Sequence, residues 1–83
     1  MSTLLVRYFA GAAAAAGVPE EHLEVPPGSD VAALRARLAV TRPALAPVLA
    51  VSTVLVDGTP ASDPATGLDG AEQVDVLPPF AGG

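Results

Sequence analysis

Val74-Asp75-Val76-Leu77-Pro78-Pro79-Phe80-Ala81-Gly82-Gly83 is the stretch from which the rest of the chain is read. Its first four residues read as a strand, with Val74 and Val76 on one face and Asp75 and Leu77 on the other. Pro78 and Pro79 fix φ and remove two backbone donors, so pairing ends and the chain leaves the sheet extended. Gly82 and Gly83 lack a Cβ and fit a channel too narrow for any other residue. The expected reactive group is the α-carboxylate of Gly83, presented on an arm for other proteins to modify.

Upstream, the pattern supplies a sheet for that strand to join. Thr3 to Phe9 is β-branched and aromatic and reads as a first strand. Leu4, Val6 and Tyr8 share one face, and Leu5, Arg7 and Phe9 the other. Ala10 to Ala16 has the highest helix propensity in the chain, with Gly17 as C-cap. His22 to Pro26 alternates polar and apolar residues, a second strand ending in the Pro26-Pro27-Gly28 turn. Ser29 or Asp30 caps a helix whose stripe is Val31, Leu34, Leu38 and Ala39, with Arg35 and Arg37 off it. Pro43 suits the first turn of a further short helix through Ala46, which Pro47 either joins or breaks. Val51 to Val56 is a third strand, and Asp57-Gly58 turns it into a short edge at Thr59-Pro60-Ala61. Ser62 to Gly67 is a loop, and Leu68 is an apolar anchor before the turn at Asp69-Gly70.

The order β-α-β-α-β-β-β, with sheet at both ends, predicts an α+β fold: a mixed sheet with a helix packed across one face. Residues 1–77 form the domain and residues 78–83 the extended arm.

Composition excludes several functions. The 83 residues make one domain, 51% hydrophobic and 16% charged, which is not a disordered composition. There is no cysteine, hence no disulfide scaffold, thiolate metal site or cysteine nucleophile. Lysine is also absent, which removes Schiff-base chemistry and any ε-amine acceptor for conjugation to this chain. Nine acidic residues against four arginines give a net charge of −5, which repels phosphate backbones and anionic lipid. No nucleic acid and no membrane partner is expected; a partner with a basic docking face fits. The Thr3–Val18 run lacks a basic residue ahead of its apolar stretch and is interrupted by Arg7, unlike a signal peptide, and a cytoplasmic location is expected.

Internal chemistry is equally sparse. His22 is the one histidine and reads as a solvent-facing strand residue, with no second histidine or cysteine to share a metal. Glu20 and Glu21 are adjacent and do not face one another. Ser29, Ser52 and Ser62 lack a nucleophile-elbow context. The Gly11–Gly17 segment lacks the lysine of a phosphate loop. No resident metal or cofactor is expected. The chain itself offers no active site, which leaves the terminal carboxylate. Leu77 and Phe80, with Phe9 alongside on a neighbouring strand, form an expected docking patch beside the arm.

Leu68-Asp69-Gly70 followed by Val74 through Gly83 resembles the C-terminal signature of the MoaD/ThiS ubiquitin-like sulfur carriers, closest to the MoaD branch. Tyr8-Phe9-Ala10 running into a helix, the Pro27-Gly28-Ser29 turn and the Leu55-Val56-Asp57-Gly58 hairpin fit the same pattern. One departure is the turn, where the family's Asp-Gly-Asp becomes Gly70 followed by Ala71-Glu72-Gln73. The resemblance implies a β-grasp fold and a carrier that is one subunit of molybdopterin synthase, without a cofactor of its own. It implies that an adenylating enzyme joins Gly83 to AMP from ATP, and that sulfur from a sulfurtransferase or persulfide donor replaces the AMP. Sulfur then goes to a pterin precursor in the synthase large subunit. Gly82 and Gly83 would provide access, while Leu77, Pro78, Pro79, Phe80 and Ala81, with Phe9, would contact the partners. Carriers for thiamin thiazole or cysteine synthesis share this tail chemistry, and a protein modifier shares the tail.

Overall fold

The computed structural model describes residues 2–79. Five strands form one sheet: β1 Ser2–Tyr8, β2 Glu20–Val25, β3 Thr53–Val56, β4 Thr59–Pro60 and β5 Gln73–Leu77, in the order β2-β1-β5-β3-β4. The first and last strands lie side by side at the centre. They run parallel in the register Val6 with Val74 and Tyr8 with Val76, while every other pairing is antiparallel. The sheet is therefore mixed, as the sequence predicts, and its helices pack over one face: the β-grasp arrangement.

The helices are α1 Gly11–Ala16, α2 Val31–Thr41 and α3 Ala46–Leu49, the last entered through a 3-10 turn at Pro43–Leu45. Gly17 ends α1 in the left-handed conformation (φ 81°), and its N–H donates to the Ala13 carbonyl at 2.9 Å. Asp30, rather than Ser29, caps α2, accepting from the Ala33 N–H at 2.8 Å. The next two free donors are met by the 61–70 loop, Val31 N–H donating to the Thr66 carbonyl and Ala32 N–H to that of Pro64. Leu68, 1% exposed, anchors that loop in the core. Pro47 joins the short helix, standing in its first turn where no N–H is needed.

Leu4, Val6, Tyr8, Val54, Val74 and Val76 present one sheet face, and Val31, Leu34, Leu38, Leu45 and Leu49 pack in the same buried cluster. Burial of each large aliphatic side chain contributes about 1.5–3 kcal/mol, which is what holds α2 to the sheet. Ala39 lies at the margin of α2's buried stripe and is only half-buried.

The third strand is shorter than Val51–Val56. Val51 N–H donates to the Val48 carbonyl and Ser52 N–H to that of Leu49, and the Ser52 hydroxyl binds the Val48 carbonyl at 2.6 Å. Both donors are spent on closing α3, so pairing starts at Thr53. The second strand starts earlier than His22, at Glu20, and pairs with β1 throughout.

Candidate functional site

The second face of the sheet leads to the arm. Register places Arg7 beside Asp75 and Leu5 beside Gln73, and on the other flank Asp75 beside Leu55 and Leu77 beside Thr53. Leu5, Phe9, Leu55 and Leu77 are half-buried and stand outside the core cluster. The four apolar side chains share this face with an ion pair, which Glu20 and Gln73 flank. Arg7 Nε donates to Asp75 Oδ1 at 2.9 Å and Nη2 to Oδ2 at 3.1 Å, a two-pronged contact. Gln73 Nε2 adds a donor to the same carboxylate at 3.2 Å. Arg7 also lies over the Phe9 ring, 5.2 Å from its centroid. The Asp75 side chain is thus only 8% exposed, whereas that of Arg7 is 39% exposed.

Sequence alternation places Asp75 on this outer face but does not show that Arg7 roofs it over. The available signal was positional: Arg7 and Asp75 each interrupt an apolar strand on the same side. Strand order was needed to bring them together.

The residues expected to contact partners are distributed as follows. Phe9 and Leu77 are half-buried, Pro78 is buried and Pro79 is exposed. Phe9 N–H donates to the Val76 carbonyl at 3.2 Å, so the end of β1 is tied to the strand that leads into the arm. Phe80, Ala81, Gly82 and Gly83 lie outside the described residues.

The start of β5 is fixed by Asp57. Its carboxylate Oδ1 accepts from Glu72 N–H at 3.1 Å and Gln73 N–H at 3.0 Å. Asp57 and Gly58 both have positive φ, 47° and 83°, the conformation a two-residue hairpin loop requires. One residue therefore turns β3 into β4 and sets where β5 begins.

A second polar cluster closes the far end of the core. The Tyr8 hydroxyl donates to Glu21 Oε2 at 2.5 Å, and Arg42 donates to both Glu21 oxygens, at 2.7 and 3.0 Å. Arg42 Nη1 also caps α1 through the Ala16 carbonyl. Burial, then the bond to Glu21, raises the Tyr8 pKa well above its ordinary value, so the phenol stays protonated. The Arg42 hydrogen bond lowers that of Glu21, with burial opposing it. This is a satisfied structural network.

His22 is exposed on β2. Among the described residues no group of three His, Asp or Glu side chains is placed to hold a metal, no pocket is enclosed, and no helix is long and apolar enough to cross a membrane.

Sheet order and helix placement together define a ubiquitin-like β-grasp fold. The chain belongs to the ThiS family, whose model matches residues 6–83. Small archaeal modifier protein 1 from Methanosarcina acetivorans is 26% identical with a TM-score of 0.80, over 100% of this chain and 98% of that one. Small archaeal modifier protein 1 from Haloferax volcanii is 22% identical with a TM-score of 0.84, over 99% and 100%. In the complex of subunits 1 and 2 of the molybdopterin-converting factor from Helicobacter pylori, one chain is 24% identical with a TM-score of 0.72, over 99% and 100%. No curated protein matches the chain.

Proposed function

We propose that this chain is a sulfur carrier whose Gly83 carboxylate is converted to a thiocarboxylate, and that it serves as the small subunit of a molybdopterin synthase. The observation that carries the reading is a family match that runs through residue 83 and includes Pro78-Pro79-Phe80-Ala81-Gly82-Gly83, on a domain whose last strand is the central one beside β1. The similar Helicobacter pylori chain, solved with a second subunit, supports a large-subunit partner.

A carboxylate resists nucleophiles because its charge is delocalised over two oxygens. In the proposed sequence a Gly83 oxygen attacks the α-phosphorus of ATP on a partner adenylating enzyme, and pyrophosphate leaves. A persulfide sulfur from a sulfurtransferase then attacks the acyl carbon and expels AMP. Cleavage of the resulting S–S bond by a thiol leaves the thiocarboxylate. ATP is thus bound by the activating enzyme, and this chain needs no cofactor. The chain's contribution is positional. Gly82 and Gly83 would give access to a narrow channel, Pro78 and Pro79 would hold the arm out, and Leu77 and Phe80, with Phe9 and Ala81, would contact the partner.

Reconstitution tests this reading: the thiocarboxylated chain, the large subunit and the pterin precursor should yield molybdopterin. A chain lacking Gly83 should yield none, because the carboxylate is then short by one residue, about 3.3–3.6 Å on an extended chain. Product from the truncated chain would contradict the proposal.

The likeness to the archaeal modifier proteins favours a second reading, attachment of Gly83 to a target amine. The chain has no lysine, so such attachment would be single, without chains built through this protein's ε-amines. Isopeptide adducts of Gly83 on cellular proteins, with no thiocarboxylate, would select it.

A further inference from the structure

Arg7 spends two of its three nitrogens on Asp75, and among the described residues no acceptor meets Nη1. The guanidinium is held in place by Asp75 and by the Phe9 ring beneath it. It stands among Leu5, Leu55 and Leu77 on the face beside the arm root. In the free chain, water can serve the exposed part of Arg7, whose side chain is 39% exposed. A partner that covers the face with apolar surface removes that water, and an unpaired guanidinium N–H in a dry contact is costly.

Resting on the carrier reading above, we propose that Arg7 is a specificity-determining residue: the synthase large subunit covers this face and presents a neutral carbonyl oxygen to Arg7 Nη1. A carboxylate is disfavoured there. Asp75 already balances the guanidinium, and Glu20 lies opposite Arg7 on β2, so an incoming carboxylate meets two others. Apolar surfaces lacking the acceptor are rejected because they strand the donor, which is discrimination by an unmet polar group rather than by added attraction.

The test uses the full chain and the recombinant large subunit of the synthase from the same organism. Arg7→Leu combined with Asp75→Leu removes both charges together, so no buried charge is left alone. Circular dichroism and a denaturant melt establish that the variant folds. Loss of a hydrogen bond to a charged donor should weaken its binding at least about tenfold relative to wild type. Binding equal to or tighter than wild type would overturn the inference, since a merely apolar face gains from the change. A wild-type measurement stands independently of that variant: with only four arginines, the nitrogen-15 resonances of the Arg7 guanidinium are assignable. On binding, rotation about its Cζ–Nη1 bond should slow markedly; unchanged rotation would overturn the inference. If wild type does not bind the large subunit, the functional reading itself is contradicted and the inference falls with it.

Discussion

Arg42 holds Glu21 by both carboxylate oxygens, at 2.7 and 3.0 Å, and so fastens the C-terminal end of α2 to the edge strand β2. The two side chains are 27% and 21% exposed, and the Tyr8 hydroxyl takes a third position on the same carboxylate. The arrangement makes stability depend on pH with a definite sign. Glu21 has its pKa lowered from the ordinary 4.5, chiefly by the Arg42 bond, so the unfolded chain takes up this proton at a higher pH than the folded one. The contribution is complete above about pH 5 and is lost as pH falls through the lowered folded value. Glu21→Gln should flatten that acid limb, and Arg42→Leu should cost about 1–3 kcal/mol near neutrality. Melts at a series of pH values check both; an acid limb unchanged in Glu21→Gln would remove this residue from the explanation.

Leu34 is 4% exposed in the middle of the α2 stripe, between Val31 and Leu38. Leu34→Ala should cost about 2–5 kcal/mol, the range for an aliphatic side chain deleted from a packed core. A loss well below 1 kcal/mol in denaturant melts would place Leu34 on the wrong face.

Ala10 precedes α1 with φ 49° and ψ −125°, a region that L residues seldom enter. Such backbone strain costs on the order of 1–3 kcal/mol, and glycine relieves it. Glycine also gives the unfolded chain more freedom, which takes back about 0.4–1 kcal/mol. Ala10→Gly should therefore raise stability by about 1 kcal/mol, opposite to the usual direction for this substitution. A lower midpoint in denaturant would contradict the strained geometry.

Asp57 combines the hairpin turn with two hydrogen bonds to the start of β5. Asp57→Ala loses both hydrogen bonds and places a less suitable residue at positive φ. The expected cost is about 1–3 kcal/mol, with faster amide hydrogen exchange at Glu72 and Gln73. Unchanged exchange at these two amides would show that the carboxylate does not fix the start of β5.

Much of this fold was legible because its signals are local. The alternation of Leu4, Val6 and Tyr8, the spacing of Val31, Leu34 and Leu38, and Asp57-Gly58 each name an element from neighbours in the chain. Limits of elements were less legible: Val51 has strand character, but its N–H closes α3. The ion pairs between distant positions were not legible at all. Arg7 reaches Asp75 across 68 positions and Arg42 reaches Glu21 across 21, and only the parallel placement of β1 beside β5 and the docking of α2 bring them together. At the candidate site the sequence named Phe9, Leu77, Pro78 and Pro79 but missed the ion pair on the face, because a charge interrupting each of two apolar strands does not show that the two strands are neighbours.

The central claim concerns the chemistry of Gly83, and intact-mass spectrometry reads it directly. The chain is incubated with its adenylating enzyme, ATP and a persulfide donor, beside a control lacking Gly83. Replacement of one carboxylate oxygen by sulfur should add about 16 Da to the full chain and nothing to the control. No gain in the full chain with its own partners present, or the same gain in the control, would contradict the carrier account.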